Sequence, residues 1–150
     1  MEPTFRLAND SNLEILVEFM RQFYAIDGYP FEELAARRAM GKIVQDPALG
    51  RAWMICDGDV PIGYFVLTFG FSLEYQGRDA FIDEFYIDAA QRNKGVGSKT
   101  LEFALEACRE LDIKALHLEV EPMNVAGLAL YRKFGFEDHN RRLMTRWIGR

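Results

Sequence analysis

Asp83 and Glu84 stand side by side in the segment Phe81 to Ile87, and a glycine-rich run, Gly95-Val96-Gly97-Ser98, follows and opens a helical pattern. Carboxylates at a strand end can take up and deliver protons. Glycines let consecutive backbone N–H groups turn toward one point, which makes an anion cradle at a helix N-terminus. Together they describe a device that holds a phosphorylated carrier against the end of a sheet, with acids one strand-length away. Two look-alikes fail on spacing. The Lys99-Thr100 pair mimics a nucleotide-triphosphate loop, but that motif needs glycine at 93 and 98, where Asn93 and Ser98 stand. A dinucleotide fingerprint would put its third glycine at Thr100, and it belongs after a first strand.

The elements that must position these residues are legible in order. Thr4 to Leu7 reads as a strand, and Ser11 with Glu14 makes a capping box. Leu13, Leu16, Val17, Met20, Phe23 and Tyr24 then give a first helix to about Ile26. A second helix runs from about Phe31 to Gln45, before Asp46-Pro47. Strands at 51–57 and 60–71 flank the turn Asp57-Gly58, and Gln76-Gly77-Arg78 leads into a third, Asp79 to Ile87. Strict alternation along that strand places Asp83 and Glu84 on opposite faces. Glu84 then shares a face with Tyr86, while Phe81, Phe85 and Ile87 form the core side.

After the glycine loop, Val96, Leu101, Ala104, Leu105, Cys108 and Leu111 mark a third helix, and Lys114 to Glu121 alternates as a strand. Strand, helix, strand implies a parallel pair with a right-handed crossover, and ligands gather at the carboxyl edge of such pairs. A fourth helix from Val125 to Phe134 follows Asn124 and closes at Gly135. Phe136 to Ile148 has room for one or two more strands, Leu143 to Trp147 among them. With no repeat and no linker, the chain reads as a single domain over 1–150.

Composition narrows the function class. At 150 residues, 49% hydrophobic and 27% charged, the chain is of ordinary globular type. A net charge of −5 argues against a nucleic-acid binder. Asp79, Asp83, Glu84, Glu119 and Glu121 suit a cationic partner. No apolar run approaches the roughly 20 residues of a membrane span, and MEPTFRLAND lacks signal-peptide character, so a cytoplasmic location is expected. Cys56, Cys108, His117 and His139 form no metal motif. An aromatic content of 13% suits a homodimer interface and a core equally.

Arg92-x-x-Gly95-x-Gly97 after an acid-bearing strand, then Asn124, Leu130-Tyr131 and Phe134-Gly135-Phe136, resembles the GNAT superfamily of acyl-CoA-dependent N-acyltransferases, in particular small members acting on polyamines or similar amines. The resemblance implies an α/β fold: a mostly antiparallel sheet of six to seven strands, a central parallel pair splayed around a CoA cleft, and about four helices. It implies acetyl-CoA as cosubstrate. The pyrophosphate would lie on the backbone of Arg92, Asn93, Lys94, Gly95, Val96, Gly97 and Ser98, and the pantetheine arm would pair with Phe85, Tyr86 and Ile87. Asn124 would contact the cofactor or fix its loop, although Gly127 stands where the family usually has alanine. Tyr131 resembles the general acid that protonates the CoA sulfur. The acceptor pocket would draw on Tyr24, Asp27, Tyr29, Glu84 and Glu119.

Acetyl transfer to an amine needs the amine neutral, the carbonyl oxygen stabilised and the thiolate reprotonated. Lysine-type amines have a pKa near ~10.4, so deprotonating the acceptor is the larger demand. Glu84 is the favoured base and Asp83 its rival. Neither cysteine has an activated context, so direct attack in a ternary complex is expected, on a small-molecule or peptide amine. The alternative is a degenerate domain that senses acyl-CoA without turning it over.

Overall fold

The computed structural model describes residues 1–149, which fall into two compact units, Met1–Glu119 and 120–149. The first unit contains β1 (Thr4–Leu7), α1 (Leu13–Ile26), α2 (Glu33–Gln45), β2 (Gly50–Asp57), β3 (Val60–Ser72), β4 (Gly77–Ile87), α3 (Val96–Glu110) and β5 (Ala115–Leu118). Its sheet has the order β1-β2-β3-β4-β5. The first three pairings are antiparallel and β4 runs parallel to β5, as the crossover through α3 requires.

Alternation divides the large side chains between the two sheet faces. Met54, Cys56, Tyr64, Val66 and Tyr86 face one layer, where Leu16, Phe19 and Met20 of α1 and Met40 of α2 cover them. Trp53 and Phe65 face the other, where Phe103 of α3 packs its ring 5.7 Å and 6.1 Å from theirs and stacks on Phe5 at 4.5 Å. Burying each such side chain contributes roughly 1.5–3 kcal/mol, so the sheet is clamped between two helical layers. Gly63 marks a close approach of β3 to β4. A Cβ there would lie 2.1 Å from the Tyr86 carbonyl oxygen, so only glycine fits.

Four expectations are corrected. The helix start is capped by Asn9 and Asn12, which bond reciprocally around a 3-10 turn at Asp10–Asn12, and not by Ser11 and Glu14. The sheet has five strands among the described residues, not six or seven, because residues 136–149 adopt none. Their apolar residues Leu143, Met144 and Ile148 are exposed: alternation supplies a face, but a strand also needs a neighbour to bond. Phe81 is not core; its ring is exposed. The strand after α3 is also shorter than its alternating pattern, four residues against eight.

The second unit is built on α4 (Val125–Lys133). The Asn124 side chain accepts a hydrogen bond from the Gly127 N–H at 3.0 Å. A Cβ at Gly127 would sit 2.5 Å from that side chain, which is a local reason for glycine where the resemblance expects alanine. Gly135, at φ +88°, ends the helix in the left-handed conformation.

Candidate active site

The geometry of β4 begins with one extra residue. Val66 pairs with Glu84 and Leu67 with Ile82, so Asp83 has no partner across the ladder and forms a β-bulge. Ile82 is buried on the α3 side with Leu67 and Phe65. In a regular strand Glu84 would follow it there. The inserted Asp83 moves Glu84 onto the α1 side, with Tyr86.

There Glu84 meets two hydroxyls. Tyr64 of β3 donates to Oε1 at 2.9 Å, and Tyr24 of α1 donates to Oε2. Tyr86 donates to Gln22 Oε1 of α1 at 2.7 Å, which ties β4 to the same helix at a second point. Burial pushes the Glu84 carboxyl above the usual range; the bonds from Tyr24 and Tyr64 favour the ionised form and pull it back, and Asp83 adds a smaller push upward. Burial and the adjoining carboxylate raise both tyrosines, so they stay protonated donors at neutral pH. Asp83 is also pushed up by desolvation, but its side chain is solvent-exposed, and water screens that effect. The strand therefore offers one sheltered carboxylate and one wet one.

Beyond the bulge the parallel pair parts. β4 and β5 are in register only from Asp79–Ile82 to Ala115–Leu118, while β4 continues to Ile87 with no strand on that side among the described residues. The backbone of Phe85, Tyr86 and Ile87 thus presents an edge. Arg92 donates from Nε to the Ile87 carbonyl at 3.0 Å and lies over the Tyr86 ring.

The chain then turns through Asn93, φ +62°, and Gly95, φ +81°, into α3. Gly95 brings no capping side chain, and the first intrahelical acceptor is its carbonyl, bonded by Lys99 N at 3.2 Å. The N–H groups of Val96, Gly97 and Ser98 are first-turn donors, which have no partner within a helix, and the helix dipole favours an anion beside them. Lys94 reaches Gln91 at 3.3 Å, and Lys99 lies near Glu2 and Glu102 at 3.7 Å and 3.9 Å. Thr100 donates to the Val96 carbonyl inside the helix, unlike the hydroxyl of a nucleotide-triphosphate loop.

The expected pocket residues divide. Tyr24 joins Glu84 directly. Asp27 caps the end of α1, Tyr29 follows it and Glu119 follows β5; all three are exposed. Asn124 and Tyr131 belong to the second unit, where Tyr131 sits on α4 with its ring 5.9 Å from that of Phe136, and burial raises its phenol. Sequence reasoning missed Tyr64. The available signal was a tyrosine inside an apolar strand, because a buried phenol needs a polar partner.

The site thus combines a carboxylate held at a strand bulge, a strand edge beyond it and first-turn N–H donors at the next helix. The chain belongs to the acetyltransferase (GNAT) family, whose model matches residues 12–136. It is 33% identical over 58 residues to the spermine/spermidine N(1)-acetyltransferase of Bacillus subtilis, covering 38% of each chain. It is 27% identical over 81 residues to the thialysine N-epsilon-acetyltransferase of Bos taurus, covering 54% of this chain and 47% of that one. These matches thus span less than half the length of either curated relative. An integron cassette protein from the mobile metagenome of Cole Harbour Salt Marsh shares the fold, with TM-score 0.85 and 34% identity over 97% of this chain and 91% of that one. The family resemblance and the mixed α/β fold class are thereby borne out.

Proposed function

We propose that this chain, acting as one domain, transfers the acetyl group of acetyl-CoA to a primary amine of a small cationic acceptor. The observation that carries the reading is Glu84, sheltered at the β4 bulge and bonded by two tyrosines, next to the unpaired edge that ends at the glycine loop. The first-turn N–H groups of α3 receive the diphosphate, and the Phe85 to Ile87 backbone receives the pantetheine arm. Glu84, directly or through water, takes a proton from the acceptor ammonium. The freed nitrogen attacks the thioester carbonyl, whose oxygen gains charge beside a backbone N–H near Phe85. The C–S bond breaks, and Tyr131 gives its proton to the departing thiolate. The names of the two curated relatives support an amine as acceptor. Among the described residues no helix is long and apolar enough to cross a membrane, and the cytoplasm is the location that fits this reading.

The test is acetyl-CoA-dependent release of free thiol across monoamines, polyamines, aminoglycosides and peptide N-termini, run beside calorimetry with CoA. Turnover with at least one amine class supports the enzyme. CoA binding with no turnover on any class would instead favour a sensing domain. Gly95→Val places a β-branched residue at φ +81°, which costs on the order of 1–3 kcal/mol of strain and disturbs the cradle. CoA affinity should fall by about tenfold or more with the far-ultraviolet spectrum retained. Affinity equal to wild type would separate the diphosphate from this loop.

A further inference from the structure

Asp79 and His117 form a second polar cluster, and the transfer chemistry uses neither. They lie on the parallel pair, where Asp79 pairs with Ala115 and Phe81 with His117. His117 Nε2 is 3.1 Å from Asp79 Oδ2, with side chains 18% and 15% exposed. A carboxylate only accepts, so Nε2 carries the hydrogen and the imidazole fixes the carboxylate's orientation. Two aromatic rings flank the imidazole, Tyr75 edge-on at 4.8 Å and Phe81 tilted at 5.0 Å between centroids. Asp79 stands opposite Gly70, and a Cβ there would come within 2.8 Å of Oδ1, so the glycine leaves that oxygen room.

The cluster faces the same way as Glu84. Asp79, Phe81 and Glu84 pair with Gly70, Thr68 and Val66, alternate positions of β3 that share one sheet face. Four residues of β3 separate the two acids, roughly 13 Å at strand rise. An oriented carboxylate with aromatic rings nearby is the chemistry that holds an ammonium ion.

We propose that the Asp79–His117 pair, with Phe81 and Tyr75 beside it, is a subsite for the distal ammonium of an acceptor carrying two amines, the reacting one lying at Glu84. This rests on the amine-acceptor reading above and adds that length and second charge select the acceptor. The exposed ring of Phe81 then has a role, as the floor between the two charged ends.

The test titrates the CoA-loaded protein with n-alkylamines and with α,ω-diamines of four to ten carbons, by calorimetry. Diamine affinity should pass through a maximum with length and exceed that of the matched monoamine by about tenfold, the worth of one charge-assisted contact. Asp79→Asn and His117→Gln should bring diamines down to the monoamine level while monoamine and CoA affinities hold. In the wild-type protein the His117 ring proton signals should move with diamine and not with monoamine, a readout that needs no variant to fold. Diamines binding no better than monoamines, no amine binding, equal loss of both in the variants, or a His117 signal blind to diamine would each overturn the subsite. Diamine-selective binding without thiol release would sink the acetyl-transfer reading and leave the subsite standing. Thiol release with equal KM for both amine types would do the reverse.

Discussion

Glu84→Gln is expected to lower kcat by about 10²–10⁴-fold, the range for losing a general base, while making the protein more stable at neutral pH. The amide keeps an oxygen for one tyrosine but takes no proton. The stability half follows from linkage. Burial raises the Glu84 carboxyl in the folded state, more than the Tyr24 and Tyr64 bonds lower it, so the folded protein binds that proton more tightly than the unfolded chain does. The favourable contribution is full below the unfolded value of about 4.3 and is lost as pH rises through the folded one. Above that, a desolvated charge is a cost that glutamine removes, on the order of 1 kcal/mol. Melting curves of the two proteins should therefore separate at pH 7 and approach each other as pH falls toward 4. Tyr64→Phe should act oppositely on the same group, shifting the rising limb of kcat/KM to higher pH by removing a bond that favours the ionised form. Wild-type turnover in Glu84→Gln would take the base role from this residue, and a lower neutral-pH melting point would contradict the net upward shift.

That prediction depends on a feature only partly legible in the sequence. Strict alternation correctly puts Glu84 with Tyr86. It also groups Phe81 with Phe85 as core, and Phe81 is exposed because the bulge at Asp83 shifts the phase between them. A bulge belongs to the ladder and not to the strand, so it shows only when β3 and β4 are paired residue by residue. Tyr64 was hidden for the same reason: its contact with Glu84 depends on register between two strands. Local signals fared better. Asp57-Gly58 made its turn, and Gly95 made the left-handed entry to α3, because both conformations are decided by the residues themselves. Near the N-terminus two capping patterns overlap, and Asn9 with Asn12 took the start ahead of Ser11 with Glu14 by closing a 3-10 turn first. The pattern at Leu143 to Trp147 lacked what no local pattern supplies, a neighbouring strand.

Tyr131→Phe should lower kcat about 10²-fold with CoA affinity within about twofold of wild type. Burial raises this phenol above its ordinary value, so it remains protonated across the neutral range and keeps a proton available, as a weaker acid than a free phenol. In the proposed transfer it would donate to a thiolate whose own pKa is near ~8.5. At pH 7 departure of the sulfur gains from a proton, whereas above about 8.5 the thiolate is stable unprotonated and the donor matters less. The defect of the phenylalanine variant should therefore be largest near neutrality and narrow as pH rises. A packing role for the ring predicts a different signature, because phenylalanine keeps the ring and its contact with Phe136: turnover would stay near wild type at every pH. A deficit that is constant with pH would also count against proton donation, since it would mean that the hydroxyl acts by placing the cosubstrate and not by protonating what leaves it.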